Sequence, residues 1–323
     1  MGQQEITVDI GKVCIIIASH ISSSRRIEYL KECLESLATQ TFPISIYLSI
    51  SFETTEIYQE FQNINFTPFP HFFLHVRPEK TPQMKHVQLV LPELLKNNEK
   101  WVLFSDDDDR HDPTRTQKFA QLFADGMYAI EKHHPNYIFA GVYESTFGKN
   151  HREHRHEFWC YGIHIDVLKM FHDRIQPYDD VIRHKCCDIV FGNYLRRLSE
   201  KYIFIQLEEP LYDYRVENNE DSITGKIRNN ALRKFVDSPP TITDPHFSDY
   251  IVKWNIFLHE NADYYIHDTF LRTVIGDDFD EILRSEFKKH YPLLEHVDKC
   301  HVENIREHHE YLRGVCAIVY DIW

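Results

Sequence analysis

The chain has 323 residues, 42% of them hydrophobic and 14% aromatic, enough to bury a sizeable core and to exclude general disorder. Asp and Glu outnumber Lys and Arg by 50 to 36, giving a net charge of −14. That balance argues against a nucleic-acid surface and against polybasic attachment to a membrane. The seven cysteines include no C-x-x-C pair and read as reduced, intracellular thiols. No basic-then-apolar leader opens the sequence, Ile6 stands where a myristoylation sequence needs Ser or Thr, and the longest clean apolar run, Val13 to Ala18, is far too short to cross a membrane. The expectation is a soluble, cytoplasmic protein with no membrane span.

In chain order, Lys12 to Ala18 is a short, β-branched apolar run of the kind buried on both faces of a parallel sheet. Ile27, Leu30, Leu34 and Leu37 then recur at helical spacing. Ile44 to Ser51, Phe72 to Val76 and Trp101 to Phe104 predict further strands, with helices at Glu53 to Phe61 and Met84 to Leu95 between them. Four strand–helix alternations within about the first 105 residues predict right-handed β-α-β units and a mainly parallel α/β sheet. Asp112-Pro113 predicts a helix start, and Tyr137 to Tyr143 a strand. Phe158 to Ile165 reads as extended, Asp166 to Phe171 and Asp188 to Leu198 as helices, and Tyr202 to Leu207 as a strand. After a Pro-containing connector at Asp237 to Pro245, four apolar stripes predict a helical carboxy-terminal extension, with the division placed at residues 1–225 and 226–323. That extension would help to shape one side of the site and could also pair two copies into a homodimer.

The sharpest feature is Asp106-Asp107-Asp108-Asp109, directly after a buried strand. Ligands of open α/β sheets bind at the carboxyl ends of strands. In extended chain, residues i and i+2 share a side, so Asp106 and Asp108 would converge on a cation while Asp107 and Asp109 face elsewhere. Carboxylate oxygens suit Mg²⁺ or Mn²⁺ rather than zinc. A histidine cluster at His151, His154 and His156 has no zinc-type cysteine spacing and fits a phosphate- or acceptor-contacting loop better.

The segment Trp101 to Arg115 resembles the strand-D-x-D-D-x-x-x-P segment of family 2 glycosyltransferases of the GT-A fold. The first strand, ending Ile17-Ala18-Ser19-His20, resembles the family's nucleotide-facing first strand. Leu211-Tyr-Asp-Tyr-Arg215, followed by Ser222-Ile-Thr224, is similar to its late aromatic–Arg–Ser segment. Together these span roughly residues 12–225.

The resemblance implies a GT-A, Rossmann-like sheet and a metal-dependent glycosyltransferase. Such an enzyme moves a sugar from a nucleotide-diphosphate donor to the hydroxyl of a glycan or other acceptor, with inversion. It further implies that Asp106 and Asp108 hold Mn²⁺ or Mg²⁺, and that Ser19, His20, Glu53, Lys85, Asp106 and Asp107 line the nucleotide sugar. Asp188 falls at the family's general-base position, and Trp159, Tyr161 and Gly162 could form an acceptor platform. The chain departs from the family in three places: Ser49-Ile-Ser-Phe-Glu53 replaces an acidic pair, Cys187 precedes Asp188, and Val216 follows Arg215 where a His is common. A nucleotidyltransferase ranks lower, because Ser19 to Arg25 contains no glycine for a phosphate loop. The remaining alternative is a binding protein for nucleotide sugars or glycans that has lost turnover.

Overall fold

The computed structural model describes residues 9–144, 157–198, 202–215, 235 and 238–321. The chain divides into two compact units, Met1–Val216 and Glu217–Trp323.

The first unit is built on strands β1 (Lys12–Ile21), β2 (Ser45–Phe52), β3 (Phe72–Val76), β4 (Glu99–Ser105), β6 (Ile138–Glu144), β7 (Tyr161–His164) and β8 (Tyr202–Leu207). They form one sheet in the order β3-β2-β1-β4-β7-β6-β8. Only β7, among the described strands of this sheet, runs antiparallel to its neighbours, so the sheet is mainly parallel, as the resemblance to GT-A transferases implies. A two-residue strand β5 (Arg110–His111) pairs separately with β9 (Tyr212–Asp213). Helices α1 (Ser24–Ala38), α2 (Thr55–Phe61), α3 (Gln83–Lys96), α4 (Arg115–His133), α5 (Ile165–Ile175), α6 (Asp179–Ile182) and α7 (Cys187–Arg197) accompany the strands.

The apolar run of β1 is buried on both faces because helices cover both. Ile15 and Ile17 join a core with Leu30 and Leu34 of α1 and Phe119 and Phe123 of α4. On the opposite face, Phe104 of β4 meets Phe191 of α7 edge-on at 5.5 Å, and Phe191 packs on Phe171 of α5. Each such side chain, fully buried, contributes about 1.5–3 kcal/mol. The chain leaves β1 toward β2 and β3 on one side and places β4 on the other. The boundary between β1 and β4 is therefore the point where the sheet order reverses, the usual ligand position in open α/β sheets.

Two local readings differ from the structure. Phe158–Cys160 is a 3-10 turn rather than extended chain, and β7 begins only at Tyr161. The helix expected at Asp112-Pro113 starts at Arg115, because the Asp112 carboxylate accepts from the Thr114 N–H at 2.8 Å and holds a turn ahead of it.

At the β6–β7 contact the backbones approach so closely that Gly141, at φ +153°, leaves no room for a side chain. A Cβ there would lie 2.1 Å from the Gly162 carbonyl oxygen and 2.9 Å from the Ile163 Cα. Backbone cannot swing aside as a side-chain tip can. Gly141→Ala is expected to cost about 3 kcal/mol, the upper range for overpacking, read as a lower urea midpoint with unchanged slope.

The second unit is helical: α8 (Phe247–Glu260), α9 (Ala262–Ile275), α10 (Phe279–Phe287), a 3-10 segment (Lys288–His296) and α11 (Lys299–Tyr320). Trp254, Leu258, Tyr265, Phe287 and Ile305 are central to its own core. Gly276 ends α9 in the left-handed conformation, and Asp278 with Glu281 forms a capping box that starts α10. No helix among the described residues is long and apolar enough to cross a membrane.

Candidate active site

β4 ends at Ser105, and Asp106 to Asp109 form a turn, not a continuing strand. Strand alternation therefore ends at Ser105, and the turn sets where the four carboxylates point. Carboxylate oxygens of Asp106, Asp108 and also Asp109 come within 4.8 Å of one another. Asp107 points instead to β1 and α1, where it accepts from Ser19 Oγ at 2.5 Å and from the Arg26 guanidinium. Arg26 also donates to Asp108 at 2.8 Å. Ser19 and the aspartate turn are thus joined across the β1–β4 boundary.

The turn is held from several directions. Gln83 Nε2, in the first turn of α3, donates to Asp106 Oδ1 at 2.5 Å. The Asp106 N–H donates to Tyr212 Oη at 2.9 Å, a contact that the β5–β9 pair makes possible. Arg215 donates its backbone N–H to Asp109 Oδ1 at 2.7 Å and its Nε to the Asp108 carbonyl at 2.8 Å. Its guanidinium also pairs with Glu32 of α1. Beneath the turn lies a buried ion pair, Arg115 Nε to Glu144 Oε1 at 3.0 Å.

Confined carboxylates repel one another. Burial, reinforced by the charges of Asp109, Asp108, Asp107 and Asp188, pushes Asp106 well above the usual carboxylate range. Burial and Asp108 push Asp109 up to about 8; burial, offset in part by Arg26, raises Asp107 to about 6. The Asp109 carboxylate is buried beside the Tyr212 hydroxyl. An all-oxygen donor set of carboxylates crowded against one another fits a hard divalent cation. For Arg26, burial opposes the charge, but Asp107 and Asp108 outweigh it and raise its pKa above the ordinary value.

The other sequence-predicted residues fall as follows. His20, at the end of β1, has Nδ1 2.9 Å from Ser51 Oγ and Nε2 2.7 Å from Glu53 Oε2. Glu53, just beyond β2, also pairs with Lys80, and its carboxyl is held below the usual range by His20 first and Lys80 second. Lys85, in the first turn of α3, pairs with Asp179 of α6 at 2.6 Å. Asp188 lies in the first turn of α7, half-buried, and its charge bears on Asp106. Trp159, Tyr161 and Gly162 are packed inward. Trp159 stacks on Tyr212 at 4.2 Å and on Tyr214 at 5.2 Å, Tyr161 lies against Tyr143 and Phe204, and a side chain at Gly162 would strike Phe119 and Phe123. The member of this aromatic group that reaches the surface is Tyr214. His151, His154, His156, Ser222 and Thr224 lie outside the described residues.

Residues that the sequence did not single out include Arg26, Gln83, Asp109 and, at the β2–β3 side, Arg77 and His86. Arg77 Nε donates to Ser49 Oγ at 3.0 Å, and His86 Nδ1 is 2.9 Å from the same oxygen. Burial and then Arg77 hold His86 down to about 3, so it is neutral. The one local signal was for Asp109, as part of the aspartate run.

No protein-family model matches the sequence, and no curated protein does either. Among solved structures, the chain is similar to S. aureus TarS 1-349 in complex with UDP, with TM-score 0.44, 15% identity and coverage of 94% of this chain and 92% of that one. The same protein in complex with UDP-GlcNAc gives TM-score 0.43 and 14% identity over 94% and 92% of the two chains. A cytidylyltransferase from Leptospira borgpetersenii gives TM-score 0.42 and 15% identity over 76% of this chain and 96% of that one.

Proposed function

We propose that the protein is a metal-dependent glycosyltransferase that moves a sugar from a nucleotide-diphosphate donor to an acceptor hydroxyl, with inversion. The observation that carries this reading is the convergence of Asp106, Asp108 and Asp109 at the β1–β4 boundary, with Asp188 of α7 within electrostatic reach of Asp106. Asp106 and Asp108, joined by Asp109, would hold Mn²⁺ or Mg²⁺. A cation bound there supplies positive charge to the donor diphosphate and so favours its departure. That is also how a chain of net charge −14 accommodates a polyanionic donor.

In this reading Ser19, His20, Glu53, Lys85, Asp106 and Asp107 line the nucleotide sugar. The Asp107–Ser19 and Asp107–Arg26 bonds fix the turn, so the other carboxylates are positioned before the donor arrives. The acceptor oxygen attacks the anomeric carbon, its proton passes to the Asp188 carboxylate, and the bond to the diphosphate breaks. A single displacement inverts that carbon. Trp159, Tyr161 and Gly162 support the acceptor side from within the core, and Tyr214 offers the outward aromatic face.

Calorimetric titration with UDP and GDP tests the metal role. Binding should require Mn²⁺ or Mg²⁺, and Asp108→Ala should weaken it by at least the roughly 10–100-fold that even outer-shell changes cost. Undiminished nucleotide binding in EDTA would remove the metal from the mechanism. Slow donor hydrolysis in water separates a transferase from a protein that only binds.

A further inference from the structure

The carboxy-terminal unit carries another convergence of ligating side chains, chemically unlike the aspartate turn. His259 stands in the last turn of α8, Asp298 is the N-cap of α11, and Cys300 lies two residues beyond it. Asn255 of α8 anchors the intervening chain: its Nδ2 donates to the His296 carbonyl at 3.1 Å, and its Oδ1 accepts the Asp298 N–H at 2.8 Å. An imidazole nitrogen, a carboxylate oxygen and a sulfur thereby fall within 4.8 Å of one another, all on exposed residues.

We propose that His259, Asp298 and Cys300 form a binding site for a thiophilic divalent cation of the zinc class. Imidazole and thiolate select such ions, whereas Mg²⁺ and Mn²⁺ prefer oxygen alone. Bonds of about 2.0–2.1 Å to a tetrahedral ion put nitrogen and oxygen donors roughly 3.3 Å apart. His259 Nε2 and Asp298 Oδ2 are 3.3 Å apart, long for a hydrogen bond and the edge length that a tetrahedron needs. Asp298 Oδ1 is occupied by the Cys300 N–H at 3.1 Å, which leaves Oδ2 on the His259 side.

His301 lies beside this group, its ring also packed against Tyr265 and Phe287. It is 4% exposed, stands edge-on to His259 at 6.1 Å, and keeps a buried Nε2 without a hydrogen-bond partner. Cys300 itself is the exposed cysteine, while the other six are buried. Ligation replaces the thiol's hydrogen bond to Asp298; on binding the thiol loses its proton to solvent, and the ion ties the end of α8 to the start of α11.

The test uses the full-length protein stripped with chelator and titrated with Co²⁺, then Zn²⁺. One equivalent of Co²⁺ should produce thiolate-to-cobalt charge-transfer absorption that Zn²⁺ abolishes by displacement. Cys300→Ser, a small change at an exposed position, should remove the absorption while circular dichroism stays native. His259→Gln should weaken binding by roughly tenfold or more. Asp108→Ala should leave the absorption intact, because it alters only the oxygen site. Absence of the band in the native protein, or its survival in Cys300→Ser, overturns the proposal whatever the outcome for the transferase.

Discussion

Asp188→Asn is expected to lower sugar transfer about 10²–10⁴-fold while nucleotide affinity and folding hold. Asn preserves the shape of the side chain but cannot take a proton. A capping role does not account for this residue, because the N-cap of α7 is Cys186 and Asp188 lies inside the first turn. There the helix dipole favours the carboxylate by only about 0.3–1 kcal/mol, so losing that interaction costs little stability. Donor binding should not suffer either. The Asp188 charge is one of those that raise Asp106, and its removal makes Asp106 easier to ionise for a cation. The measurement is kcat against donor Kd, taken separately. Near-normal transfer would move the base elsewhere. Asp179, which pairs with Lys85 and Arg183, and its neighbour Asp180 are then the next positions to mutate.

The parts of this molecule that were legible in the sequence are those specified within a few residues. The runs at Lys12 and Trp101 read as buried strands because helices cover both faces, and the expected helices lie within a few residues of α1, α3 and α7. The aspartate turn was legible because carboxylates cluster where a strand ends. What it does next was not. Whether Asp106 to Asp109 alternate or coil depends on where β4 stops, and that is decided by Tyr212 and Arg215, more than 100 residues later in the chain. Arg26 is similarly remote, 81 residues from Asp107, and no spacing rule points to it. The insertion of antiparallel β7 between β4 and β6 is a property of the whole sheet. It also explains the inward packing of Trp159, Tyr161 and Gly162: a segment that reads as an accessible aromatic platform sits at or beside a central strand.

Arg115→Met is expected to cost about 3–5 kcal/mol, a large share of the 5–15 kcal/mol that holds a typical domain together. Arg115 is fully buried and bonds to three groups: Glu144 at 3.0 Å, the Trp159 carbonyl at 2.9 Å and His111 Nδ1 at 3.4 Å. Burial and Arg115 hold His111 well below its ordinary pKa, so its ring is neutral. With Nδ1 accepting from Arg115, Nε2 must carry the proton and donate to Ser105 Oγ at 2.9 Å; Ser105 in turn donates to the Asp106 carbonyl at 2.7 Å. The donors therefore run in one direction, from the ion pair to the backbone of the aspartate turn. Glu144 Oε2 meanwhile accepts the Leu211 N–H at 3.3 Å and so steadies the segment that carries Tyr212. Methionine fills much of the space but leaves Glu144 as a buried charge with its cation gone, and the Trp159 carbonyl and His111 without their donor. Glu144→Gln removes that stranded charge while keeping an acceptor for Leu211. Combined with Arg115→Met it should cost less than the sum of the two single changes, by roughly 1–3 kcal/mol, in a urea double-mutant cycle. Additive costs, or a loss below about 1 kcal/mol for Arg115→Met alone, would mean that the pair contributes no net stability and that the turn is held by Tyr212, Gln83 and Arg215 instead.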